Sequence, residues 1–132
     1  MNKGKDPLKN DYRKVEQYFL YLYTAFLVVI STVTFHPDPQ DGYFLFNIPH
    51  LDKIIHYLMY FLCSLFFYRS YQSYIGCFLY GSILGFSLEI IQYFLPGRHC
   101  DLYDMICNTL GSLTFALIIY FKKRPDRTPS NK

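Results

Sequence analysis

Four apolar segments, each close to the thickness of a bilayer, leave this chain of 132 residues few ways to fold. They are Gln17–Phe35, Ile54–Tyr68, Tyr74–Leu95 and Tyr103–Phe121. A hydrocarbon core of about 30 Å takes about 20 helical residues. Inside lipid every backbone N–H and C=O must find its partner within the protein, which favours helices over open strands. The second segment is short unless Leu51–Lys53 supplies its outer turn. These features predict an all-α polytopic membrane protein, a four-helix transmembrane bundle over residues 17–121. Its helices are expected at about 17–35, 51–68, 74–95 and 103–121, with basic tails at 1–16 and 122–132. A signal peptide competes for the first segment, because Lys3, Lys5, Lys9, Arg13 and Lys14 precede it. No small-x-small cleavage pattern follows, which favours a retained helix.

The placement of charge orients the bundle. Five Lys and Arg residues stand before Gln17 and five stand from Lys122 onward (Lys122, Lys123, Arg124, Arg127 and Lys132). The first loop has one lysine against Asp38, Asp41 and Asp52, and the third has Arg98 against Asp101. The positive-inside rule places both termini in the cytoplasm and the first and third loops outside. The net charge of +3 therefore serves orientation and does not point to nucleic acid. No nucleotide-binding glycine pattern occurs.

With that orientation, polar residues from three segments arrive at the outer end. Asp52, His56 and Tyr60 recur every fourth residue on one helix face, beside Lys53. Gly81, Gly85, Glu89 and Gln92 form one stripe, where the glycines admit a neighbouring helix and Glu89 points into the bundle. Asp101, Asp104, Asn108 and Gly111 form a third. Glu89 sits about 10 Å in from Pro96 by helical rise. An ionisable group at that depth is costly and is a functional-site hypothesis by default. Plainer roles compete: Asp52, and Asp101 or Asp104, as helix caps, Lys53 snorkelling to the interface, and Glu89 in a structural ion pair. Arg98 is the outward cation suited to a carboxylate or phosphate.

The ordered set of Asp52, Lys53, His56 and Tyr60, then Glu89 and Gln92, Pro96 and Arg98, Asp101, Asp104, Asn108 and Gly111 resembles the VanZ-like family of small membrane proteins. The resemblance spans about Leu51 to Ile119. His99-Cys100 stand where the family often has a small or hydroxyl residue before its Asp. The family takes its name from a protein associated with low-level resistance to teicoplanin, and no settled reaction comes with it. The resemblance implies a bacterial cytoplasmic membrane and a link to the cell envelope.

Two functional classes follow. In the first, His56, Glu89 and Asp104 are candidate acid–base groups, and Asp52, Lys53, Tyr60, Gln92, Arg98, Asp101 and Asn108 are candidate ligand contacts. The ligand would be an anionic envelope or lipid-linked molecule drawn from among the membrane lipids. The segment Gly42–Ile48 is either a cover for this site or an ordinary surface loop. In the second class the chain is an accessory subunit with a membrane protein partner, and the polar cluster fixes helix register. Ion passage ranks last, because the cytoplasmic halves of the segments offer few polar groups. No cofactor is implied. Cys63 and Cys77 read as packing residues. A metal site drawing on His56, His99, Cys100 and an Asp matches no standard spacing, so no metal ligand is assigned.

Overall fold

The computed structural model describes residues 7–33 (side chains from Asp11 on), 50–96 and 100–124. Four helices run through them: α1 Pro7–Thr32, α2 Leu51–Tyr71, α3 Tyr74–Tyr93 and α4 Leu102–Lys123. No strand occurs among the described residues. Each helix is long and apolar enough to cross a membrane. The protein is a four-helix, multi-pass membrane protein.

α1 begins well before the apolar segment, so residues 7–16 of the expected tail continue the helix. At Glu16 this stretch is tied to the C-terminal end of α2. The single Arg69 Nε–H is shared between the two Glu16 carboxylate oxygens at 2.9 Å, and Ser70 Oγ donates to the Glu16 carbonyl at 2.9 Å. The short α2–α3 connection is tightly made. Gln72 takes a left-handed conformation (φ 56°) and its N–H caps α2 on the Tyr68 carbonyl at 2.7 Å. Ser73 then caps α3, its side chain accepting from Gly76 N–H at 3.0 Å.

α4 packs most extensively on α2 and then on α3, whereas α1 lies against α2 and touches α3 less. Lipid removes the hydrophobic drive between helices, so close contact rests on small residues and interhelical hydrogen bonds. Gly111 is the clearest case: a Cβ there would collide with the Tyr57 backbone carbonyl of α2. Ser64 Oγ of α2 donates to the Cys77 carbonyl of α3 at 3.1 Å, and Cys63 and Cys77 are fully buried among these contacts. Most large side chains pointing away from the helix contacts are apolar, including Ile54, Ile83, Phe86 and Leu117, as a lipid-facing surface requires.

Candidate functional site

The helices alternate in direction, so the start of α2, the end of α3 and the start of α4 meet at one end of the bundle. Asp101 caps α4 there, accepting from Tyr103 N–H at 2.8 Å. This places its second carboxylate oxygen and the Asp104 side chain toward α2. Lys53 lies between them. Its ammonium donates to Asp101 at 2.6 Å and to Asp104 at 2.7 Å, and pairs with Asp52 at 2.9 Å. The Lys53 ammonium, with the Tyr103 N–H second, holds the Asp101 carboxyl below the usual carboxylate range.

One turn deeper lies a second layer. His56 Nδ1 is 3.0 Å from Asn108 Oδ1 and 3.9 Å from Glu89 Oε1, while its Nε2 is 3.6 Å from Asp104 Oδ2. Glu89 is 1% exposed. Among the described residues it makes no ion pair with Lys or Arg, and the Asp101 backbone N–H reaches it only at 3.4 Å. Asn108 is equally buried, and its Nδ2 has no hydrogen-bond partner. Gly85 makes room for this layer, since a Cβ there would stand 2.9 Å from Asn108 Cβ and 3.0 Å from the Tyr60 ring.

Two layers thus emerge. An outer one joins Asp52, Lys53, Asp101 and Asp104, and an inner one joins His56, Glu89, Asp104 and Asn108. Asp104 belongs to both, with one oxygen on Lys53 and the other toward His56. Tyr60 lies below the inner layer and is buried against the glycine stripe. Gln92 is directed elsewhere: its amide donates to the Ser31 carbonyl at 3.1 Å and to Ser31 Oγ at 3.0 Å, tying α3 to α1. Arg98, His99, His36 and the Gly42–Ile48 segment lie outside the described residues. His50 caps α2 in a left-handed conformation (φ 63°) and makes no side-chain cap bond.

Ser31 escaped the sequence reading. A serine in the last turn of an apolar helix commonly bonds to its own backbone, and only the packing of α1 on α3 gives it an interhelical partner. The sequence grouped His56, Glu89 and Asp104 as acid–base candidates but did not read them as a set of metal ligands. One ligand atom from each lies within 4.8 Å of the others, a spacing able to hold a metal ion. Their contributions come from three helices with no shared sequence period, so no spacing rule could have joined them.

With four carboxylates against one ammonium and one imidazole, the cluster is acidic among the described residues. Chemically it offers an imidazole between two carboxylates, an arrangement able to pass a proton or to bind a cation.

Comparisons with known proteins bear on identity. The chain is 29% identical over 116 residues to an uncharacterized protein of Schizosaccharomyces pombe, covering 82% of this chain and 67% of that relative. No solved structure matches. The VanZ/LLP1 family model matches residues 6–123, taking in all four helices and every described residue of the cluster. The chain belongs to the VanZ/LLP1 family.

Proposed function

We propose that this protein binds, and acts on, the phosphate-bearing headgroup of a membrane lipid or lipid-linked envelope molecule at the end of the bundle where α2 and α4 begin. One observation carries the reading. Among the described residues the most buried carboxylate, Glu89, faces His56, while Lys53 is spent on three carboxylates nearer the surface. A network built only to hold helices together would be expected to give its strongest cation to its deepest anion, because an unmatched buried charge is the costliest. Here the deep carboxylate stands beside an imidazole, two groups able to exchange a proton as general acid–base chemistry needs.

His56 and Asp104 are partly open, their side chains 25% and 14% exposed, so a headgroup has a route to them. Lys53 would engage a ligand phosphate only by giving up one of its carboxylates. Arg98 is the further cation we assign to the anion. The charge count supports an outward-facing site with both termini in the cytoplasm. A bacterial inner membrane, with a part in the response to glycopeptides, is one setting for this reading. The Schizosaccharomyces pombe relative means that a chain similar to this one is not confined to bacteria.

The mutual pairing of Lys53 with Asp101 and Asp104, and of Gln92 with Ser31, favours a second reading, in which the chain is an accessory subunit of a membrane complex and the cluster sets helix register. Native mass spectrometry of the full chain in nanodiscs separates the two, with wild type beside Glu89→Gln and His56→Ala. Unchanged melting with loss of a co-purifying phospholipid in both variants supports the headgroup site. Loss of the folded state in both, with no phospholipid held by wild type, supports the accessory reading.

A further inference from the structure

We infer that His56, Glu89 and Asp104 form a binding site for one divalent transition-metal cation, of the manganese-to-zinc class, whose open coordination position takes the ligand phosphate.

Three observations point there. One ligand atom from each residue already lies within 4.8 Å of the other two. Ligands at ordinary metal–nitrogen and metal–oxygen distances around a tetrahedral ion stand about 3.4 Å apart. His56 Nε2 and Asp104 Oδ2, at 3.6 Å, are close to that separation before any rearrangement. Glu89, whose Oε1 stands 3.9 Å from Nδ1 of the same ring, is the member that has to shift.

The second observation is the state of the imidazole. Its Nδ1 faces Asn108 Oδ1 at 3.0 Å, and an amide oxygen can only accept, so the proton sits on Nδ1. Nε2 is thereby turned toward Asp104. Metal-bound histidines are oriented in the same way, by donating the other ring N–H to a carbonyl or carboxylate. Asn108 is 1% exposed and its Nδ2 is unpartnered, a cost that makes more sense if its oxygen is committed to holding His56.

Third is charge. Among the described residues Lys53 offsets one of the four carboxylates and leaves Glu89 and Asp104 flanking the His56 imidazole. A divalent cation matches two carboxylates. One imidazole with two carboxylates suits the borderline metals better than calcium or magnesium, which favour all-oxygen sites. Three protein ligands leave a further position for water or a phosphate oxygen. An acidic cluster can then recognise an anionic headgroup through the metal. This last step rests on the headgroup reading above; the metal site itself does not.

The full chain, purified in nanodiscs and stripped with chelator, is titrated with zinc by calorimetry and with copper for electron paramagnetic resonance. We expect one equivalent bound, with superhyperfine splitting from a single imidazole nitrogen in wild type. Glu89→Gln and Asp104→Asn should each weaken zinc at least about 10-fold, while Asp11→Asn at the far end should not. Absence of stoichiometric binding, or copper signals without imidazole nitrogen, overturns the inference, and the wild-type spectrum decides this even if a variant fails to fold. Phospholipid retention is then read with and without zinc. Zinc-dependent retention supports both readings. Zinc binding without retention supports the metal site and removes the headgroup reading. Retention by wild type that binds no zinc removes only the metal site.

Discussion

The ammonium of Lys53 in α2 and the carboxylate of Asp104 in α4 lie 2.7 Å apart, and the other oxygen of the same Asp104 faces His56 at 3.6 Å. Asp104 thereby couples an outer, structural layer to an inner layer able to do chemistry, and the two can be separated by substitution.

Lys53→Met should be the most destabilising change at the outer layer. It leaves Asp52, Asp101 and Asp104 facing one another without their shared cation. The Lys53–Asp104 pair is partly buried while Asp52 and Asp101 stand more open, so the loss should fall below the ~3 kcal/mol of a fully buried pair. Adding Asp104→Asn should recover part of the loss, because it removes one of the stranded charges. Thermal melts of the single and double variants in detergent check this, and additive losses would sink the pairing argument.

Gly111→Ala tests the approach of α4 to α2. Its methyl group would collide with the Tyr57 carbonyl, a backbone atom that cannot swing aside. We expect a loss of about 3 kcal/mol and poor recovery of folded protein by size-exclusion chromatography. Gln92→Leu should cost far less, about 0.6 kcal/mol for an interhelical hydrogen bond, since it loosens only the tie to Ser31.

Acid should loosen the α2–α4 contact late. The Asp101 carboxyl is held below its ordinary range by Lys53, so its bond is fully stabilising above the unfolded-state value near about 3.9. Stability from this group is lost as pH falls through the lower, folded-state value. Melting temperature against pH should show this contribution intact at pH 5 and declining only below about 4. Asp101→Asn should remove that part of the decline, and an unaltered profile would count against the bond.

Cys100 offers a test of orientation. It is exposed beside the cluster, whereas Cys63 and Cys77 are buried and Cys107 is half-buried. If both termini face the cytoplasm, a membrane-impermeant maleimide should label Cys100 from outside intact cells, and Cys100→Ser should abolish most of that signal. Labelling only after the membrane is opened would reverse the topology and place the cluster inside.

Much of the site could be read before any coordinates. Gly81, Gly85, Glu89 and Gln92 were expected on one buried stripe and are all buried, because a helical period alone dictates a shared face. Asn108 and Gly111 follow the same logic in α4. Period cannot say which residue on a stripe meets which residue of another helix. Gln92 shares its stripe with Glu89 yet turns to Ser31 of α1, and Lys53, one position off the Asp52–His56–Tyr60 face, reaches α4. Both outcomes depend on rotation and depth of neighbouring helices.

By itself the sequence determined that the chain crosses a membrane in four helices, which faces of those helices are buried, and that the ionisable residues of three helices gather at one end of the bundle. Those properties follow from apolar length and from a period of 3.6 residues, both local to each segment. Only the tertiary structure decided that Lys53 belongs to the aspartates and that Glu89 belongs to His56. Ionic partnership depends on distances of a few ångströms between helices, and these are set by how closely Gly85 and Gly111 let α3 and α2 approach α4.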